Sequence, residues 1–447
     1  MTGTFRSLSN FNYRLWAGGA LISNVGTWMQ RIAQGWLVLT QLTHNNATAM
    51  GVVLALQSGP HLLLLPLTGF AADHLDRRKL LLGTQAAMGA LAFGLGILTI
   101  SGLVQLWHVY VFAFLLGCVT AFDSPARHTF VAELVGENDL SNAVALNSSS
   151  FNAARMIGPA VAGTMIAAVG SGWVFVINGA SFVAVLGSLA LLRIGELHPQ
   201  VRAFRKRGSF AEGFRYVWQR PDLQAILLML FFIATFGLNF QLFISTMSVR
   251  IFHGGASQYG YLMSVMAVGT LAGALLAARR EKPRFALLMA GSAVFGLGCT
   301  LAALAPNAWL FGAALVVVGV SALTFSNSTN SLMQLSTEPA MRGRVMAIRL
   351  AIAMGCTPLG APIVGWVADN FGPRWSLGMG AASGFAAAIV GLHYLRKHRH
   401  LRVRFDAGRL HVSMDDEPAA VSPRCEPPAT GPELVEEIAA TEESNAA

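Results

Sequence analysis

The chain has 447 residues, of which 54% are hydrophobic and only 12% are charged. Ordinary soluble domains carry about 25% charged residues, so this composition excludes a soluble globular protein and indicates one embedded mostly in a lipid bilayer. The formal charge of +9 is of the kind that positive loops beside an anionic lipid surface produce, and no nucleic-acid partner is expected.

Apolar runs of the length that crosses about 30 Å of hydrocarbon recur along the chain. They predict an all-α polytopic protein with twelve membrane spans, at residues 14–40, 47–71, 80–102, 105–126, 142–169, 173–193, 223–249, 257–278, 285–305, 308–334, 345–369 and 374–395. The segment before the first run is polar, and this run is too long for a cleaved signal peptide, so we expect the first span to be retained.

Loops on one side of the predicted membrane hold nearly all the lysine and arginine, such as Arg77, Arg78 and Lys79. The loops on the other side hold only Arg250 and Arg374. Because positive loops stay on the cytoplasmic side, we expect a multi-pass protein of the inner cell membrane with both termini in the cytoplasm.

The longest polar break, 194–222, separates a predicted six-helix bundle at 1–193 from a second at 223–395. One helical face in this linker carries apolar side chains, namely Phe210, Phe214, Val217 and Trp218. This pattern predicts a short amphipathic helix on the inner membrane surface.

The two halves resemble each other in sequence. GPAVAG at 158–163 matches GAPIVG at 360–365, and FDSPA from 122 echoes FSNST from 325, both at an offset near 203 residues. Two parallel repeats of six spans are one arrangement of secondary transporters, with the ligand site between them near the membrane midplane.

The last segment, 396–447, differs in composition from the rest. Its first part, LRVRFDAGRLHVS, alternates around an Asp-Ala-Gly turn and is compatible with a small hairpin. The remainder is acidic, rich in proline and alanine, and too poor in large apolar residues to fold alone. We expect a largely disordered cytoplasmic tail.

The loop after the second span reads GFAADHLDRRK and resembles the conserved cytoplasmic loop of the major facilitator superfamily. Four residues match that pattern, namely Gly69, Asp73, Arg77 and Arg78, whereas His74 and Asp76 replace its usual Arg and Gly. A carboxylate in this loop can face the N-terminus of a helix from the other half, where the helix dipole stabilises it by roughly 0.3 to 1 kcal/mol. The resemblance implies that Asp73 latches the inner gate and that Arg77 pairs with an acid of span four, for which Asp123 is available.

The fifth span contains ARMIGPAVAG, which resembles the fifth-span motif of drug:proton antiporters in this superfamily. Pro159 cannot donate a hydrogen bond to the carbonyl of Arg155, so the helix can bend there. Gly158 lies in a stripe of small residues with Ala154 and Ala162 that allows close helix packing. Together with Gly163, these residues are expected to act at a moving interface between the halves, and we hypothesise that Arg155 helps to hold one state.

Three stretches together, FNYRLWAGGALISNVGTWMQ, FDSPARHTFVAELV and ARMIGPAVAG, look like the transmembrane secretion effector branch of this superfamily. The resemblance covers about residues 5–395. It implies two six-helix bundles related by a pseudo-twofold axis, with spans one, four, seven and ten around a central cavity.

Polar residues within those spans are candidates for the cavity lining. An arginine at the centre of a membrane helix costs roughly 2.5 to 3.5 kcal/mol, so such residues face protein or water. The predicted lining consists of Ser23, Thr27, Gln30, Arg31 and Gln34 in span one, Thr235, Asn239 and Thr246 in span seven, and Asn327 and Asn330 in span ten. Hydrogen bonding between packed helices is the alternative role for these polar side chains. As a lining residue, Arg31 would favour anionic or polar cargo.

We therefore predict a transporter, not an enzyme, that exports small organic molecules such as siderophores or drugs by proton antiport. An importer of the same fold is the alternative, and a membrane enzyme is disfavoured because the loop acids are scattered. Proton coupling follows from the resemblance alone, since no Asp or Glu is predicted deep in a span. We expect a monomer without cofactor or metal, in contact only with substrate, protons and membrane lipids.

Overall fold

A computed structural model of the protein describes residues 3–198, 210–278, 284–398, 402–406 and 409–413, without the side chains of Asp73 and a few others. The helices of the N-terminal half are α1 (Phe11–Trp36), α2 (Ala47–Leu63), α3 (Leu65–His74), α4 (Arg77–Ile100), α5 (Leu106–Val169) and α6 (Ser171–Ala190). Those that follow are α7 (Phe210–Trp218), α8 (Pro221–Phe232), α9 (Phe240–Thr246), α10 (Ala256–Ala278), α11 (Phe285–Leu304), α12 (Ala308–Ser336), α13 (Pro339–Gly355), α14 (Thr357–Asn370) and α15 (Pro373–His398). Strands β1 (Arg402–Asp406) and β2 (Arg409–Ser413) complete the described elements.

Every predicted span coincides with helical structure. Within the described residues, nine helical segments are long and apolar enough to cross a membrane. They do not include α1 or the α2–α3 pair, and α5 counts once although it covers two predicted spans. The all-helical membrane fold is therefore confirmed, whereas the number twelve stays a prediction.

The predicted polar break between the fourth and fifth spans is wrong in its extent. Helix α5 continues through almost all of that break and is interrupted only at Gly136, whose φ of 70° and ψ of 179° are not helical. Glycine has no Cβ and adopts such positive φ values without strain. One residue therefore separates the two arms of α5.

Two predicted spans are each built from two helices. The second span is divided at Leu64, between α2 and α3, and the eleventh at Cys356, between α13 and α14. Pro66 and Pro358 follow these breaks, and proline removes the backbone donor that would continue the preceding helix. The seventh span is irregular too, with wide helical turns at 233–237 and 247–251.

Glycines bring the two halves of the chain into backbone contact. A Cβ placed on Gly163 of α5 would lie 2.6 Å from the carbonyl oxygen of Ala256 in α10. A Cβ placed on Gly365 of α14 would lie 2.5 Å from the carbonyl oxygen of Ala47 in α2. The two related sequence motifs thus make the same kind of contact with opposite halves, which agrees with the predicted repeat.

Two clusters of buried apolar residues lie at opposite ends of these helices. The larger joins both halves, because it contains Leu39 and Met50 together with Phe243 and Phe311. The smaller contains Tyr13, Trp16, Phe130 and Leu189, and its buried members all precede residue 194. We call the first end the Asp369 end, where Ala47, Arg250 and Asp369 lie, and the second the Arg77 end, where Tyr13, Arg77 and Leu189 lie.

The predicted linker helix is present as α7. Val217 is buried, and Gly213 packs against Arg344 of α13, whereas Phe214 and Trp218 are exposed with their rings 5.8 Å apart. The basic residues before it, 199–209, lie outside the described residues, and the position of α7 at a membrane surface stays a prediction.

Contacts divide the chain into one unit that ends at Tyr394 and a second from Leu395 onward. In the second unit, β1 and β2 pair antiparallel with Asp406 opposite Arg409, so the predicted hairpin is confirmed. Residues 414–447 lie outside the described residues, and the predicted boundaries of the two bundles stay predictions.

Candidate substrate cavity and gate

The polar side chains of α1 meet partners from α2 and α6 in the interior of the N-terminal half. The side-chain oxygen of Gln30 accepts a hydrogen bond from Asn178, and that of Gln34 accepts one from Gln57 at 2.9 Å. Thr27 donates to the carbonyl of Ser23 in its own helix at 2.9 Å. Hydrogen bonding between packed helices, the alternative considered for these residues, therefore applies to both glutamines.

Three of the predicted lining residues, Thr27, Gln30 and Arg31, do line a cavity. This cavity has a volume of about 60 Å³ and is also bordered by Gln57, His61, Thr120 and Asn178, and by the apolar Met88, Leu116 and Phe182. We call it the polar cavity after its amide, hydroxyl and guanidinium groups. Arg31 is exposed although Gln30 and Ile32 beside it are buried, as expected for a side chain that faces a space inside the protein. That this cavity holds substrate stays a prediction.

A second cavity, of about 230 Å³, shares His61 with the first. Its walls come from α2, α3, α5 and α13, and most of them are apolar, including Leu62, Leu65, Leu350 and Met354. Leu350 and Met354 belong to the C-terminal half. The second cavity therefore lies between the halves, next to the polar one, and Gly69 of the predicted gate borders it.

Arg155 lies close to the polar cavity. Its charge is near enough to that of Arg31 for the two to interact, and the Arg31 guanidinium lies 4.8 Å from the centre of the Trp28 ring. One turn beyond Arg155, a Cβ placed on Gly158 would lie 2.6 Å from the Cβ of Trp28. Gly158 of the predicted small-residue stripe therefore packs on α1, and Ala154 and Ala162 of the stripe are buried. The role of Arg155 in holding one state stays a prediction.

The predicted lining residues of span seven are buried and bind their own helix. Thr235 donates to the carbonyl of Phe231 at 2.6 Å, and Asn239 donates to that of Thr235 at 2.8 Å. Thr246 donates to the carbonyl of Leu242 at 2.8 Å. In span ten, Asn327 and Asn330 are half-buried. Exposure of these five residues to a cavity stays a prediction.

Asp123 is buried in a network that does not contain Arg77. Its carboxylate accepts hydrogen bonds from Thr84 at 2.8 Å and Gln85 at 2.6 Å, and pairs with Arg127 at 3.0 Å. The predicted Arg77–Asp123 pair is therefore wrong. Arg127 lies one helical turn after Asp123, where the two side chains are neighbours. Arg127 therefore neutralises Asp123 in place of Arg77.

Arg77 pairs instead with Glu133, further along the first arm of α5. Arg78 donates to the carbonyl of Leu189 at 2.8 Å, near the end of α6. These groups all belong to the N-terminal half, so they brace that half at the Arg77 end. The side chain of Asp73, the predicted latch, lies outside the described residues.

At the Asp369 end, polar groups cross between the halves. The Asp369 carboxylate of α14 accepts 2.8 Å hydrogen bonds from the backbone N–H groups of Ala47 and Thr48 and a 2.6 Å bond from the Thr48 hydroxyl. It thereby caps the first turn of α2, where a negative charge is stabilised. Arg250 pairs with Asp369 at 2.5 Å and donates to the carbonyl of Asn45. We call these five residues the Asp369 lock.

Sequence reasoning missed the Asp369 lock. Arg250 was noted only as a rare positive residue of the opposite loops. The available signal was an acid at the end of span eleven and an unusual arginine at the end of span seven, on the same predicted side. The contact between Arg250 and Asp369 depends on how spans seven and eleven pack, which the identity of the two residues does not indicate.

Comparisons with known proteins identify the relatives of this chain. A family model described as transmembrane secretion effector matches residues 2–414. The chain is 24% identical to the staphyloferrin A transporter of Staphylococcus aureus over 78% of this chain and 87% of that protein. It is 26% identical to the multidrug efflux pump Tap of Mycolicibacterium fortuitum over 79% of this chain and 88% of that protein.

Among solved structures, the fold is similar to that of a bacterial homologue of the human lysosomal transporter Spinster in an inward-facing, occupied conformation. The TM-score is 0.68 at 16% sequence identity, and the match covers 89% of this chain and 98% of that one. This is the fold of the major facilitator superfamily, as the sequence predicted. With the family model matching nearly the whole chain, the chain belongs to the transmembrane secretion effector family of membrane transporters.

Proposed function

We propose that this protein exports small organic molecules across the cell membrane by alternating access, in exchange for protons. The observation that carries the proposal is the asymmetry between the two ends. At the Asp369 end, the halves are joined by backbone contacts, an apolar core, and the hydrogen bonds of Asp369 with α2 and of Arg250 with Asn45. At the Arg77 end, Arg77 and Arg78 bind within the N-terminal half, and Arg344 of α13 pairs with Glu212 of α7. A site reached from one side at a time requires such a difference.

The proposed orientation puts the Arg77 end in the cytoplasm, as the loop charges predict. The cavity bordered by Leu62 and Leu350 would then accept cargo from the cytoplasm in the state described here. Relatives named as a siderophore transporter and a multidrug efflux pump support export of small organic molecules. We propose a monomer in the inner membrane with both termini in the cytoplasm.

For proton coupling we propose Asp123. It is buried, and it lies between Thr120 of the polar cavity and Ser124 of the second cavity. Protonation would remove its charge and weaken its pair with Arg127, which also donates to Asn24 of α1 at 3.0 Å. A proton on Asp123 could thereby change how α1 and α5 pack.

The test uses the purified chain in vesicles of known orientation that contain a pH-sensitive dye. Candidate cargo added on the Arg77 side should drive proton movement in the opposite direction. Asp123→Asn should abolish that coupling but leave the exchange of labelled for unlabelled cargo intact. The control is Asp139→Asn, which should behave as wild type. Asp139 is an acid that pairs with Arg6 at the Arg77 end. Cargo and protons moving in the same direction would establish the importer alternative instead.

A further inference from the structure

Two arginines near the middle of the membrane helices lack a fixed counter-charge. Among the described residues, neither the Arg31 nor the Arg155 guanidinium has a hydrogen bond or an ion pair. The Arg31 guanidinium lies over the face of Trp28, and the hydrogen bond from Gln241 goes to the backbone carbonyl of Arg31. Arg31 is open to the cavity and Arg155 is half-buried, and a charge among membrane helices is costly unless water or a partner of opposite charge reaches it.

Three carboxylates of the membrane helices are already paired with other arginines. Asp123 binds Arg127, Glu133 binds Arg77, and Asp369 binds Arg250. The charged group that acts on Arg31 most strongly is Arg155, which is itself positive. The polar cavity is therefore a region of positive potential that the described residues leave uncompensated.

The surroundings of Arg31 form a built site, and the charge of Arg155 acts on that site. Hydroxyl and amide groups of Thr27, Gln57 and Thr120 border the polar cavity with Arg31. Its volume of about 60 Å³ suits one small polar group rather than a whole organic molecule, since a water molecule occupies about 30 Å³ in the liquid. The apolar cavity of about 230 Å³ that shares His61 provides space for the rest of a ligand.

We infer that the cargo is an amphiphilic organic anion whose carboxylate, or a similar anionic head, binds at Arg31 and Arg155 while its apolar body lies between Leu62, Leu65, Leu350 and Met354. This inference rests on the proposed transport function and adds a substrate class to it. The cargo supplies the negative charge that the protein lacks, and planar guanidinium groups match a carboxylate with two parallel hydrogen bonds. Because α13 of the C-terminal half contributes part of the apolar wall, the cargo fits this site only when the two halves lie close together.

The test compares three probes with one apolar body, namely 1-naphthaleneacetate, its neutral amide 1-naphthaleneacetamide and the cation 1-naphthylmethylammonium. Binding to the purified full chain is measured by titration calorimetry. The acetate should bind at least about tenfold more tightly than either of the others, because only it pairs with the two arginines. Equal or tighter binding of the amide or the ammonium, or no binding of any probe, would overturn the inference.

Variants then locate the head group. Arg31→Gln and Arg155→Gln should each remove most of the preference for the acetate over the amide, whereas Arg31→Lys should keep much of it because it retains the charge. The control is Arg14→Gln, in the same helix, where an exposed arginine lies 5.9 Å from the Phe11 ring. A preference unchanged in both glutamine variants would contradict the assignment.

Binding preference and transport can fail separately. If vesicles show no proton exchange while the preference for the acetate persists, the proposed function fails and the anion site stands. If exchange occurs with cationic cargo and the acetate does not bind, the proposed function stands and the anion site is refuted.

Discussion

The two ends of the helical bundle hold their charges in different ways. At the Asp369 end, a carboxylate of the C-terminal half binds the first turn of α2, and Arg250, its ion-pair partner in the same half, donates to the carbonyl of Asn45. At the Arg77 end, Arg77 and Arg78 bind Glu133 and the carbonyl of Leu189, all within the N-terminal half. The same kinds of interaction therefore join two halves at one end and stiffen one half at the other.

This difference separates interactions that set the conformational equilibrium from those that only support a fold. A group that bridges the halves is broken when they part, so its free energy contributes to the balance between states. A group whose partners move with it contributes equally to both states and shifts nothing. The variants below test that distinction, beginning with the largest expected effect.

The strongest perturbation is expected from Gly365→Ala. The added Cβ would lie 2.5 Å from the Ala47 carbonyl oxygen, and backbone atoms must move to accept it. Overpacking of this kind costs about 1 to 3 kcal/mol, which would disfavour closure at the Asp369 end by about fivefold to more than about a hundredfold. Transport in vesicles should fall accordingly. Gly378→Ala, where no atom lies within 4 Å of the new Cβ, is the matched control, and equal transport by the two variants would contradict the account.

A smaller shift is expected from Asp369→Asn. The asparagine keeps the size of the side chain but loses the charge that pairs with Arg250 and faces the N-terminus of α2. Hydrogen bonds to charged groups contribute about 1.5 to 3 kcal/mol, part of which the amide retains. Spin labels at Leu103→Cys and Phe371→Cys, both exposed at the Asp369 end, should report more molecules with a long distance across that end.

Asp139→Asn provides the comparison for this variant. It removes an acid that pairs with Arg6 within the N-terminal half at the Arg77 end. It should leave the distance distribution unchanged, because its partner moves with it. A shift of the distance distribution as large as that of Asp369→Asn would contradict the account. It would show that charges paired within one half affect the balance between states as much as charges that join the two halves.

The smallest shift is expected from Asp73→Asn, and in the opposite direction. If Asp73 latches the Arg77 end in the other state, its loss removes roughly 0.3 to 1 kcal/mol of charge–dipole stabilisation from that state. The same spin labels should then report fewer molecules with a long distance across the Asp369 end. A shift in the same direction as Asp369→Asn would rule out the proposed latch.

Much of the fold followed from the sequence because the bilayer imposes a length and a polarity on each span. The apolar runs alone predicted α4, α6 and α11, without information on how the helices pack. The close contact at Gly158 and the cavity position of Arg31 were predictable for a similar reason, since small residues allow helices to approach and a buried charge needs a polar space.

Other features depended on geometry that residue type does not encode. Arg77 could reach either Asp123 or Glu133, and the choice depends on where α4 begins relative to α5. Thr235 and Thr246 read as cavity residues, but a hydroxyl in a helix can equally bind the carbonyl four residues earlier. The continuity of α5 up to Gly136 was hidden because polar residues suggested a loop.

The central claim is that closure at the Asp369 end alternates with closure at the Arg77 end. The most direct measurement is pulsed electron spin resonance on two label pairs, Leu103→Cys with Phe371→Cys and Ser141→Cys with Gly343→Cys, after serine replacement of the native cysteines. Acidification and candidate cargo should lengthen one distance while shortening the other. Two distances that stay fixed, or that change in the same direction, would contradict the account.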